Sequence, residues 1–167
     1  NNNFNQCNSF GNYPIPYFNC VRVVGSLSQN TVVNPTVDND SFVASSVVST
    51  QTVATNSPVI PTLNYSRGQS ITYANNGVFT LTQGRYIVSY GVNGTIAGSG
   101  FSFGGFLDGT AVVNSNATNS GTTSAGGSVS NEFLITVTNP TSTFEVRNTS
   151  GETTTVTNAN VNIQRID

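Results

Sequence analysis

The stretch "VFTLTQGRYIVSYGVNGTIA", residues 78–97, places Phe79 and Leu81, then Tyr86, Val88, Tyr90 and Val92, on every second position. A period of two is the mark of a strand with one buried face. Nowhere does the chain hold a 3.6-residue period over three turns, so the sequence predicts an all-β fold. The other apolar runs are short and end at Gly, Asn, Asp or Pro. "SFVASSVVSTQTVA" alternates Phe42, Ala44, Ser46 and Val48 with Val43, Ser45 and Val47. Pro58 and Pro61 mark the next segment as an edge or an extended loop ahead of the Asn75-Asn76-Gly77 turn. Tight turns are expected at Gln83-Gly84 and Asn139-Pro140, and a type I′ hairpin at Asp108-Gly109. Residues 114–130 hold only Asn, Ser, Ala, Thr, Gly and one Val, and read as a long surface loop or a poorly packed edge. Val156, Ala159, Val161, Ile163 and Ile166 suggest a closing strand. Eight to ten short strands with frequent turns indicate a jelly-roll sandwich of two antiparallel sheets over residues 21–167.

Composition excludes more than it suggests. Charged residues are 7% of the 167, against roughly a quarter in ordinary globular chains, yet apolar residues are spread evenly enough to build a core. The surface must therefore be Asn, Thr, Ser and Gly. There is no lysine, and the five arginines stand singly at 22, 67, 85, 147 and 165, so no basic patch is present to neutralise a nucleic-acid backbone. No apolar run approaches the ~18 residues of a membrane-spanning helix, so no membrane partner is expected. With no histidine, the commonest general base is missing, and nothing couples a Ser or Cys to a base. Asp108 falls in a turn and Glu132 and Glu145 in strands, so no carboxylate pair is expected and an enzyme is not. Asp38 and Asp40 flank Asn39 in a way that suits an oxygen-rich Ca²⁺ loop, but a solvated turn explains them more simply. Neither metal nor cofactor is expected.

Residues 1–20, "NNNFNQCNSFGNYPIPYFNC", form a separate arm, uncharged and without helical or strand period. Ordering it costs about 1–2 kcal/mol per residue, while burying Phe4, Phe10, Tyr13, Tyr17 and Phe18 contributes roughly 1.5–3 kcal/mol each. The aromatics alone do not offset the cost. Pro14 and Pro16, flanking Ile15, stiffen the segment before it docks, and strand addition on a neighbour would satisfy its backbone. Cys7 and Cys20 are disulfide candidates, either closing one loop, worth about 3 kcal/mol, or bridging two subunits. The plainer alternative is a terminus with no docking role.

Phe79, Leu81, Gly84, Tyr86, Val88 and Tyr90, then Leu107-Asp108-Gly109, then Ala159, Val161, Ile163, Arg165 and Ile166 follow a recognisable spacing. Over residues 70–167 it resembles the C-terminal domain of BclA-type collagen-like glycoproteins of Bacillus spore surfaces. More distantly, it is similar to the complement globular-head and tumour-necrosis-factor superfamily. The resemblance implies a ten-strand jelly roll that assembles as a homotrimer at an extracellular location, the exosporium. It also implies core and trimer-axis packing for Phe79, Tyr86, Val88, Tyr90, Phe101, Phe103, Phe106, Val161 and Ile163. The chain departs from that family in having no Gly-x-y stalk. In layout it resembles spore-appendage subunits, whose N-terminal connector reaches into the next subunit, and "NYPIPYF" is similar to their docking peptides. The expectation is a self-assembling fibre subunit, with a spore-surface anchor or tip protein as a further partner. The alternatives are a trimeric adhesion head presenting residues 114–130 to a ligand, and a viral or phage capsid or fibre subunit.

Overall fold

A computed structural model describes residues 42–47, 49–96, 98–122 and 126–167. The arm with Phe4, Phe10, Tyr13, Pro14, Ile15, Pro16, Tyr17 and Phe18, the two cysteines Cys7 and Cys20, and Asp38–Asp40 lie outside the described residues. Ten strands are present among them: β1 (Phe42–Val47), β2 (Gln51–Val53), β3 (Thr62–Arg67), β4 (Ile71–Tyr73), β5 (Phe79–Ile96), β6 (Ser99–Leu107), β7 (Thr110–Ala111), β8 (Ala117–Thr122), β9 (Gly127–Asn148) and β10 (Thr154–Arg165). The all-β jelly roll is as expected, with every strand pair antiparallel.

The ladder runs β3-β1-β10-β5-β9-β6-β7, with β2 on β10, β4 on β5 and β8 on β6. It folds into two layers because β5 and β9 each pass through both. Pairing runs from Phe79–Phe144 to Thr82–Thr141, then resumes at Gly84–Val137 and continues to Gly94–Gly127. Gln83 thus stands against Thr138, Asn139 and Pro140, and an insertion of this kind bends the ladder. Phe133 and Phe144 show how sharply: both are in β9, and a straight strand would separate them by ~36 Å at ~3.3 Å per residue, yet their rings are 6.2 Å apart. Layer I is β3, β1, β10, the second part of β5 and the first part of β9. Layer II is β4, the first part of β5, the second part of β9, β6, β7 and β8. The expected turns at Gln83-Gly84 and Asn139-Pro140 are therefore corrected to bends inside continuous strands. Gly and Pro interrupt a strand pattern at a corner just as they do at a reversal, which is why the sequence reads the same way.

Other expectations hold. Asp108 (φ 48°) and Gly109 (φ 76°) both lie at positive φ, as a type I′ turn requires. The Asp108 N–H donates to Thr143 O (2.8 Å), and its Oδ1 accepts from Thr143 N (2.7 Å), which pins the hairpin to β9. The Asn/Ser/Thr/Gly segment after Asn114 contains the edge strand β8, paired with β6 from Phe103–Ala117 to Ser99–Thr122. It is an edge rather than a single long loop. Along β5, Tyr86, Val88, Tyr90, Val92 and Ile96 face the core, joined from β10 by Val156, Ala159, Val161 and Ile163.

The layers are held together by polar bonds as well as by apolar packing. The Tyr90 hydroxyl, from layer I, lies 2.6 Å from Phe103 O and 2.7 Å from Ser115 O, both across the core. Burial pushes its pKa well above the ordinary tyrosine value. Every buried side-chain polar atom among the described residues has a partner. At the end of β10, Asp167 Oδ1 accepts from Arg85 N (2.9 Å) and Arg165 Nε (3.2 Å). This fastens the chain beside the β5 bend.

Two predictions follow from these bonds. Tyr90→Phe keeps the ring but removes the one hydroxyl hydrogen that Phe103 O and Ser115 O share, and should lower the unfolding free energy by ~1–3 kcal/mol in urea titration. Backbone hydrogen bonds from Thr143 and Arg85 hold the Asp108 and Asp167 carboxyls below their ordinary values. Groups depressed in the folded state stabilise it above the unfolded carboxylate range, and that contribution is lost as pH falls through their folded values. The thermal midpoint should therefore fall on acidification below about pH 4, with a shallower fall in an Asp108→Asn, Asp167→Asn double variant.

Candidate assembly surface

Because side chains alternate along each strand, layer I has an outward face made from the positions between its core residues. Register lines these positions up. Gln164 of β10, Ile87 of β5 and Leu134 of β9 form one row, and Tyr65 of β3, Asn162, Ser89 and Glu132 occupy the next. Thr62, Ser46, Asn160, Gly91 and Ser130 form a third. Most of the face's described side chains are small or amide-bearing. Its charges among the described residues on these rows and the two flanking ones are Glu132, Arg67 and Arg85.

Two features stand out from that polar background. Leu134 is 58% exposed at one margin, directly paired with half-buried Ile87, and Tyr65 is 53% exposed toward the opposite margin. Between them, Gly91 leaves a shallow hollow of about 530 Å³ walled by Ser89, Ser130, Glu132, Asn160 and Asn162. A side chain at this position would begin 2.8 Å from Asn160 Oδ1. Asn131, on the edge strand beside it, donates through Nδ2 to Asn114 O (2.8 Å) and accepts through Oδ1 from Glu132 N (2.8 Å). It thereby occupies one donor of an edge that has no other strand paired to it among the described residues.

Of the residues singled out from sequence, Phe79, Tyr86, Val88, Tyr90, Phe101, Phe103, Val161 and Ile163 all lie in the interior of the single sandwich. None of them reaches the outward face of layer I. Phe106 differs, standing half-buried on the outer side of layer II under the Arg147 guanidinium, 4.8 Å from the ring centroid, while Arg147 Nε donates to Glu145 (2.7 Å). The residues that sequence reasoning missed are Tyr65, Ile87, Gly91 and Leu134. Their signal was available in the outward half of the alternation, in Arg85-x-Ile87 and in "EFLITV", where an apolar residue takes a position that a one-sided strand gives to polar ones.

The fold is shared with solved structures. An Eiger TNF from S. frugiperda superposes with a TM-score of 0.59 at 12% identity, covering 76% of this chain and 94% of that one. The globular domain of zebrafish complement 1qA gives 0.58 at 13%, covering 76% and 98%. Murine APRIL gives 0.55 at 11%, covering 74% and 98%. No protein-family model matches the chain, and no curated protein matches it. The comparisons support the tumour-necrosis-factor and complement-head part of the resemblance at the level of fold, and do not extend to the spore-surface part.

Leu134→Arg replaces an exposed side chain and should leave the unfolding free energy of the isolated head within about 0.5 kcal/mol. If the face is an interface, the same variant should lose concentration-dependent association in sedimentation velocity.

Proposed function

We propose that the chain is a structural self-assembly subunit with no catalytic role. Its heads associate in threes through the outward face of layer I, and residues 1–20 dock into a neighbouring assembly so that heads stack into a fibre on a bacterial spore surface. The observation that carries the first part is exposed Leu134, paired with half-buried Ile87, on the same outward face as exposed Tyr65. Each such side chain contributes roughly 1.5–3 kcal/mol when fully covered, and aromatic anchors dominate interfaces. Using two different margins of one face makes the contact heterologous, and a heterologous contact that closes gives a ring. The number three and the spore location rest on the sequence resemblance, and the stacking rests on the arm.

A second reading has its own support. The Gly91 hollow is walled by hydroxyls, amides and one carboxylate, groups suited to a neutral polyol, which favours a surface head that binds a sugar. Negative-stain electron microscopy separates the two readings, comparing the full-length chain with one lacking residues 1–20, each with and without reductant. Filaments from the full-length chain and discrete trimers from the truncation are expected. Discrete particles from both would overturn the fibre and leave the surface head.

A further inference from the structure

Position 77 must be glycine. Its φ is +87°, and a Cβ there would stand 2.7 Å from Val59 O and 2.9 Å from Pro58 Cβ. The two residues before it are set by the same turn. Asn75 sits at φ 58°, where asparagine is among the few tolerated side chains, and Asn76 Oδ1 accepts from Val78 N (3.0 Å). The turn thus holds an Asn-Gly pair in which Asn76 is exposed and Gly77 is buried against Pro58 and Val59. Asn-Gly is the pair most open to attack by the following backbone nitrogen on the side-chain amide, because glycine offers no steric hindrance.

We propose that Asn76-Gly77 is a latent site of spontaneous deamidation and that the Tyr73 hydroxyl is the lock that keeps it closed. Gly77 N donates to that hydroxyl (3.1 Å), and the hydroxyl donates in turn to Pro61 O (2.6 Å). The Tyr73 ring is stacked on Phe79, with centroids 4.5 Å apart and planes 24° apart, so the acceptor cannot swing away. The nitrogen that would attack Asn76 Cγ is thus held toward Tyr73. When the lock opens, Gly77 N loses its proton to solvent base and bonds to Asn76 Cγ. The Cγ–Nδ2 bond breaks, ammonia leaves with a proton from water, and a succinimide remains. Water opens this ring at either carbonyl to give aspartate or isoaspartate at position 76. Burial raises the Tyr73 pKa, which keeps the hydroxyl a donor to Pro61 in the alkaline range where this reaction is fastest.

The chain carries its own control. Asn93-Gly94, the only other Asn-Gly pair in the sequence, is laddered on both sides, to Ser128 and Gly127 of β9 and to Asn158 and Val156 of β10. It makes no contact with Tyr73 in these ladders. The test compares full-length wild type, full-length Tyr73→Phe and the free peptide YANNGVF in mildly alkaline buffer, following isoaspartate at positions 76 and 93 by peptide mapping. The peptide should react fastest and wild type slowest. Tyr73→Phe should react about fivefold faster than wild type at Asn76, the weight of one net hydrogen bond, with Asn93 unchanged. An Asn76 rate in Tyr73→Phe equal to wild type would overturn the proposal, as would a parallel rise at Asn93. Independently of any variant, the wild-type Gly77 amide should be protected from hydrogen exchange. Exchange at the rate of the free peptide would overturn the lock.

Discussion

The fold depends on the bend shared by β5 and β9. Gln83 on one strand faces Thr138, Asn139 and Pro140 on the other, and the ladder turns a corner without losing continuity. The corner brings Phe133 and Phe144 together across the core and sets Tyr90 where its hydroxyl reaches the carbonyls of Phe103 and Ser115. It also puts Gly105 where a side chain would begin 2.6 Å from the Phe133 ring, so the absence of a side chain there makes room for that ring. The C-terminus secures the same region, with Asp167 bound to the Arg85 backbone and Arg165 Nη1 donating to Ser70 Oγ (2.7 Å).

A sandwich with few ionic groups must keep its layers and edges in order by other means. Hydrogen bonds of small side chains do much of this. Ser102 Oγ contacts Thr118 Oγ1 (2.9 Å) and Thr149 Oγ1 (2.8 Å), and Thr149 Oγ1 donates to Asn116 Oδ1 (2.7 Å), which links three strand ends on the outer side of layer II. The buried Asn148 donates to Val53 O and Glu152 O and accepts from Ser150 N. Such bonds are worth about 1 kcal/mol each and, unlike surface ion pairs, do not weaken with salt. The same scarcity of charge lets the outward face of layer I approach a partner without stripping water from many ions.

Much of this was legible in the residues. The alternation from Tyr86 to Val92 identified the core face of β5, and Asp108-Gly109 identified the turn between β6 and β7, because each is a local rule with a local cause. The corner at Gln83-Gly84 was not legible, since a glycine that turns a strand between layers carries the same signature as one that reverses it. The candidate assembly surface was missed for a different reason. Attention to Tyr86, Val88 and Tyr90 selects the inward half of the pattern, whereas Ile87 and Leu134 matter because they are apolar in the outward half. The aromatic residues given a role in core and trimer-axis packing lie in the core of the single sandwich, apart from half-buried Phe106.

In the proposed assembly Leu134, Ile87 and Tyr65 are covered by other copies of the chain. Native mass spectrometry of the full-length protein beside Leu134→Arg tests it most directly. Species in multiples of three of the 17.5 kDa chain are expected for the wild type and single chains for the variant. A wild type that remains a single chain at high concentration, or a variant that assembles as the wild type does, would contradict it.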